Sequence, residues 1–530
     1  MPDGVRLWLR IGVVFIGTAL SSSVLQGFPT VEPVLLDRRP EYGAGLFALY
    51  CDNKSVSNHT TAPGAVDACK EQLDAAASLY AFSLSASTVT TFIQGYLFDQ
   101  LGPRSSAVGG SLVTALALAL FALALSSPSL NWLAWIAVPL ADCAGALTSM
   151  ASFGFVWHVP KHQGLLSSFY AASISMSVYA AALIPWLVRG PLHLSATVTW
   201  LGFAALALVS AALTGACAPS LVEYHDVATA ATGAPSRPPA GVLCMCRDVL
   251  RHFGMRPCRS CLFFAWASFG FASIIVWAAD IVQLLYALMP PEEAQALLGL
   301  FALIAGLGGS LVQPVLGRLL DLIGLCVYLP LVNGALGAWF AMLGSHSYSV
   351  QVVALSIGVV AQSAYAMLIM KWAARTVPPA LVGTAFGIIF GVAGVVSLWA
   401  QQAAPLIGQL CGGEPDSARA LLLPIWLYGG CTLACGGALS LAMFSGSSVD
   451  DESPASAQGS GVMQDGGEHG ACGGAGDLST ALVREDAHKR RDRPWPAPRP
   501  RGRAQAWAAR EEDLRFVATR RAQAQHGLVQ

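Results

Sequence analysis

Apolar residues gather along this chain in blocks of about 20, the length a helix needs to cross a bilayer, and short polar turns separate them. About twelve such blocks are readable: 8–29, 75–98, 105–126, 130–153, 164–188, 196–217, 261–289, 294–317, 324–344, 350–371, 382–408 and 420–444. The pattern predicts an all-α membrane protein. The first block is long and lacks a small-residue cleavage site, so it reads as the first spanning helix rather than a cleaved leader.

The turn after the second block is Gly95-Tyr96-Leu97-Phe98-Asp99-Gln100-Leu101-Gly102-Pro103-Arg104, with the skeleton G-x3-D-x2-G. It returns 222 residues on, from Gly317-Arg318 through Asp321 to Gly324, again between two apolar blocks. Such a repeat marks a duplicated membrane half, as in transporters. Glycines permit close approach and tight turning. An aspartate there can accept hydrogen bonds from the amino terminus of a neighbouring helix, where the dipole favours negative charge. Arg104 is placed to hold a second partner. A plain turn with aspartate as a cap is the other reading, and the repetition favours a gate built from Gly95, Asp99, Gly102, Arg104, Gly317, Arg318, Asp321 and Gly324.

Composition sharpens the class. The chain is 55% hydrophobic with a mean hydropathy of +0.56, and only 12% is charged, where soluble chains carry about a quarter. Net charge −1 gives no sign of a nucleic-acid partner. With the amino terminus in the cytosol, twelve Lys and Arg fall on the inner side against six outside, so the expectation is that both termini are cytosolic. Residues 30–74 then form one long outer loop. Cys51 and Cys69 in it are expected to pair in that oxidising compartment. Sequons at Asn53 and Asn58 agree with the same orientation.

Several polar groups stand inside the blocks. The first carries Ser21-Ser22-Ser23 and then Gln26-Gly27-Phe28-Pro29, a polar patch that weakens the helix and suits a cavity wall. Asp142 and Asp280 lie within the fourth and seventh blocks, where a carboxylate costs about 3 kcal/mol and is by default functional. A protonated acid bonded to a neighbouring helix is the alternative. Ser167, Ser168, Tyr170, Ser173, Ser175, Ser177 and Tyr179 make a polar face on the fifth block, and Gln362, Ser363 and Tyr365 one on the tenth; either could be packing glue. Gly383, Gly387 and Gly391 repeat at a spacing of four, which lets a neighbouring helix come close.

Residues 218–260 read as the loop between halves, basic from Arg247 to Arg259, with Cys244, Cys246, Cys258 and Cys261. C-x-C is poor zinc spacing, and cysteines among arginines fit acylation at an anionic leaflet better. Residues 445–530 are rich in Gly, Ser, Pro and charge and cannot bury a core, so disorder is expected. No Walker, HExxH or nucleophile-elbow motif appears, which argues against ATP-driven transport or catalysis; neither cofactor nor metal is expected.

Together these residues resemble the major facilitator superfamily, and in finer detail its solute carrier family 43 branch, L-type transporters of large neutral amino acids, with related protist transporters. Four stretches carry the resemblance: Gln26-Gly27-Phe28-Pro29 with the two-cysteine outer loop, Gly95 to Arg104, Gly308 to Asp321, and Gly383-Thr384-Ala385-Phe386-Gly387 continued by Val395-Val396-Ser397-Leu398. It spans about residues 5–445, and Tyr170, Asp142 and Asp280 depart from that branch. The resemblance implies two six-helix halves, 1–217 and 261–444, rocking about a midplane site. Its expected contacts are Ser22, Ser23, Gln26, Gly27, Phe153, Tyr170, Ser173, Phe269, Trp277, Asp280, Gln362 and Tyr365. The expected partners are a neutral amino acid and the lipid bilayer of the plasma membrane or an endomembrane, with the protein a monomer. A proton-coupled symporter, with Asp142 or Asp280 as carrier, is one alternative. A non-transporting sensor or scaffold acting through loop and tail is another.

Overall fold

The computed structural model describes residues 3–22, 27–37, 45–51, 69–233, 241–410 and 417–446. Within these the chain is helical, with no strand. The first half comprises α1 (Asp3–Ala19), α2 (Phe28–Leu36), α3 (Lys70–Ala124), α4 (Ala134–Ser149), α5 (Gln163–Ala181), α6 (Leu183–Arg189) and α7 (Ala196–Cys217). Two short helices follow, α8 (Leu221–Thr232) and α9 (Val242–Gly254). The second half comprises α10 (Pro257–Leu288), α11 (Pro291–Ala302), α12 (Gly309–Met342), α13 (Tyr348–Thr376), α14 (Val382–Leu410) and α15 (Ala418–Gly446).

Among the described residues nine helical runs are long and apolar enough to cross a membrane, two of them with 51 and 52 residues. At 1.5 Å per residue each of these two is about 75 Å long, more than twice the hydrocarbon layer. Both are broken by a glycine in the left-handed region, Gly102 (φ 81°) in α3 and Gly324 (φ 75°) in α12. The chain reverses at each, so each run is two spans. With α1 and α2 taken as one further span, the total is twelve, in two pseudo-symmetric bundles. The bundles meet where α3 packs on α14 and where α5 packs on α12.

Three local departures from the sequence reading have clear causes. Residues 30–36, read as outer loop, continue the first span as α2, because Val31, Val34, Leu35 and Leu36 are buried against the first-half core around Phe121 and Trp200. Residues 218–260 are largely helical rather than loop. The Ser220 hydroxyl accepts from the Glu223 amide at 3.2 Å and so starts α8, and Gly233 (φ 70°) stops it. Met245, Val249 and Phe253, at helical spacing, bury one face of α9. The polar patch of the first block falls between the two helices: α1 stops at Ala19 and α2 starts at Phe28. Ser23, Gln26, Asn53, Asn58 and the tail from 447 lie outside the described residues. Cys51 and Cys69 are disulfide-bonded.

Candidate functional site

Each aspartate of the repeated skeleton reaches across to the other half. Asp99 accepts from the Gly383 and Thr384 amides, at 3.0 and 2.6 Å. Asp321 accepts from the Gly164 and Leu165 amides, at 2.8 and 3.0 Å. The donors are the second and third residues of α14 and of α5, amides that a helix leaves unpaired. The register is the same at both places, and each carboxylate lies at the positive end of a helix dipole. We call the two contacts latches, and this end of the bundle the latch end.

Glycine makes the approach possible. A Cβ on Gly95 would overlap the Gly383 carbonyl, and one on Gly317 the Gly164 carbonyl. The latches differ in their cations. Lys371 of α13 donates to Asp321 at 2.7 Å, both side chains being nearly excluded from solvent. Asp99 has no ion pair among the described residues and is buried. Arg318 crosses to His162 (2.8 Å), whereas the Arg104 guanidinium donates to Ala218 O (2.9 Å) and its amide to Pro219 O (3.1 Å), within its own half.

Around the first latch, α8 adds a charged seam. Arg10 donates to both carboxylate oxygens of Glu223, at 2.7 and 3.1 Å, and to Cys217 O. That bond holds the Glu223 carboxyl below its ordinary range. His158 lies 3.5 Å from Glu223, and burial keeps its ring below the usual imidazole value. Trp157 donates to the Tyr224 hydroxyl, which donates to Pro379 O in the turn just before α14.

Above the latches an aromatic layer joins the halves. Phe153 stacks on Tyr170 (centroids 4.9 Å), and both meet Phe386 edge-on. Phe386 continues to Phe390, Phe271 and Tyr365. Beside it lies an amide cluster in which the sequence reading named Ser175, Gln362 and Ser363 but missed Gln313. Gln313 of α12 donates to Ser175 of α5 (2.9 Å) and to Ser363 of α13 (2.8 Å), while its Oε1 has no partner. The neighbouring Gln362 has an unpaired Nε2. A glutamine inside an apolar block bounded by small residues was the available signal.

The candidate contacts therefore fall into separate groups. Phe153, Tyr170 and Tyr365 share the aromatic layer. Ser22 lies 2.7 Å from the Ser177 hydroxyl and donates to Ser173 O, tying the first block to α5, whereas the Ser173 hydroxyl donates to Tyr170 O within α5. Gly27 abuts Ala181. Trp277 packs on Trp339 and Phe301, away from the layer. Asp280 and Phe269 are half-buried. Asp142 is fully buried; Ser83 donates to its Oδ2, and its Oδ1 has no partner. Glu32, on the stretch read as loop, is a third acid in the membrane-spanning region.

A family model described as the Major Facilitator Superfamily matches residues 60–400. Among curated proteins none matches. Among solved structures, the human organic anion transporter TETRAN is similar at 15% identity and TM-score 0.53, over 83% of this chain and 100% of its own. A mutant of the nucleoside transporter NupG is similar at 11% identity and TM-score 0.50, over 82% of this chain and 100% of its own. At such identities the likeness is one of fold.

Proposed function

The chain belongs to the Major Facilitator Superfamily, and from that premise we propose that it carries a small neutral or zwitterionic solute by alternating access, with large neutral amino acids as substrates. The observation that carries this reading is the pair of crossed latches. Both join opposite halves at one end, through bonds that hold when that end is shut and break when the halves tilt apart. The excess of Lys and Arg in the turns of this end supports a cytosolic position for it. Gly95, Gly317 and the reversing glycines Gly102 and Gly324 let the spans seat closely, and Arg104 and Arg318 brace the two turns.

The charge of the interior supports the substrate class. Among the described residues the lysines and arginines of the spanning helices lie within about two turns of a helix end. Further from the helix ends the polar side chains are hydroxyls, amides, aromatics and the acids Asp142 and Asp280. An organic anion would find no fixed positive charge there. A zwitterion would find an unpaired amide oxygen on Gln313 for its ammonium group, an unpaired amide nitrogen on Gln362 for its carboxylate, and aromatic rings for its side chain. Saturable, sodium-independent uptake of labelled leucine into vesicles holding the purified protein is the expected result. Absence of saturable uptake for every neutral amino acid would end the substrate claim.

One observation favours a second reading. The unpaired Oδ1 of Asp142, buried at mid-membrane, suits a site that gains and loses a proton during the cycle. On that reading Asp142→Asn abolishes uphill uptake driven by a pH gradient and spares substrate exchange. If uphill uptake persists in that variant, Asp142 is not the carrier.

A further inference from the structure

Helix α9 has two apolar faces and only one is covered. Met245, Val249 and Phe253 are buried on the protein. The other face exposes Leu243 (84%), Leu250 (57%) and, just beyond the helix end, Met255 (65%), interleaved with the exposed Arg247 and Arg251. Arg247 has a single contact of 3.6 Å, with the adjacent Asp248, and its side chain is 72% exposed. Only Met255 and Arg256 separate α9 from Pro257, which begins the spanning helix α10. The uncovered face therefore lies at the level where the chain enters the bilayer. Leucines with arginines on one side of a short helix are the pattern of an element resting in the headgroup region, its apolar side chains in the acyl boundary and its guanidinium groups on phosphates.

The covered face touches a sequence neighbour of a charged residue at each latch. Gln100, next to Asp99, donates to Met245 Sδ at 3.0 Å. Phe253 stacks on Trp372, next to Lys371, with centroids 5.4 Å apart. A helix that meets both of these neighbours and rests on lipid is placed to couple the leaflet to the closure of the latches.

We infer that α9 binds anionic phospholipid headgroups and thereby favours the latched state. This rests on the alternating-access reading. The test uses the full chain in vesicles of phosphatidylcholine alone, or with phosphatidylglycerol added, and follows hydrogen exchange of the segments around 95–101, 163–168 and 380–386. Anionic lipid slows exchange there, by up to roughly thirtyfold, the ceiling for two arginines at a charged surface. Arg247→Gln with Arg251→Gln removes the lipid response and leaves exchange in phosphatidylcholine unchanged; Arg247→Lys with Arg251→Lys retains it. An equal response in the glutamine variant overturns the inference, and so does a response that disappears on deletion of 447–530, which makes the tail the occupant. Asp99→Asn separates the two readings: if it leaves exchange at 380–386 unchanged, the latch itself is not closed by that bond and the alternating-access reading falls, whereas a latch that responds to Asp99→Asn and ignores lipid sinks only the role of α9.

Discussion

At the first latch Asp99 meets two backbone amides; at the second Asp321 meets the equivalent two amides and the ammonium group of Lys371. Arg104 braces its own half, while Arg318 crosses to the other. The same fold element thus closes both seams by dipole, and at the second the carboxylate is also held by a charge pair within its own half. A buried carboxylate with amide donors alone relies on helix-end geometry, and small tilts of α14 weaken it. A carboxylate paired with a lysine tolerates such tilts. When its seam opens that pair stays together, because both residues belong to the second half, whereas opening the first latch leaves the Asp99 carboxylate with neither amide nor cation. The difference predicts that an opened second latch keeps its carboxylate seated on Lys371, while an opened first latch has no such anchor.

The largest expected effect tests that asymmetry directly. Asp321→Asn leaves Lys371 buried without its partner, which costs about 3–5 kcal/mol, while Asp99→Asn keeps one acceptor and costs about 1–2 kcal/mol. Adding Lys371→Met to Asp321→Asn recovers most of the loss, so thermal melting of the four proteins in micelles forms a cycle with strong coupling. Equal melting points for the two asparagine variants would remove charge from the comparison.

A smaller effect separates the two turns. Alanine at Gly102 or at Gly324 meets the same positive-φ penalty of about 1–3 kcal/mol. At Gly102 the new Cβ would also stand 2.8 Å from Leu221 Cα of α8, whereas at Gly324 nothing lies within 4 Å. Gly102→Ala is therefore the more damaging in leucine uptake and in melting temperature, and a reversed order would show that α8 does not bear on the first turn.

The smallest effect is in pH. Glu223 has its carboxyl depressed by Arg10, so the contribution of this pair is present above the unfolded carboxylate value and lost as pH falls through the lower, folded one. Because the pair is partly open to water, it is worth no more than about 1 kcal/mol. Below about pH 4 hydrogen exchange in α8 quickens ahead of the second latch, and Glu223→Gln abolishes that step.

Much of this architecture was legible in the chain. The duplicated glycines and aspartates announced two turns of one kind, and the apolar blocks gave the number of spans. The receiving ends were also written there: Pro160 and Gly164 recur in step as Pro379 and Gly383, each placing a proline turn before a helix whose second amide meets a carboxylate. Taken singly, those prolines read as loop punctuation. Lys371 lies 50 residues from Asp321, and nothing local in sequence joins them. Glu32 was hidden because Pro29 and Pro33 suggest a loop, although Pro29, the second residue of α2, is well placed in the first turn of a helix. Ser220 and Glu223 form a capping pair that foretold α8, but a basic, proline-bearing stretch between halves masked it.

Gly102 and Gly324 reverse the chain without any intervening loop. With no slack between them, the two arms of each hairpin cannot move independently: a tilt imposed on the arm that carries the aspartate is delivered in full to its companion. Spans two and three, and likewise eight and nine, therefore act as stiff levers, and lengthening either turn by a few flexible residues should uncouple the far arm while leaving the aspartate bonds intact.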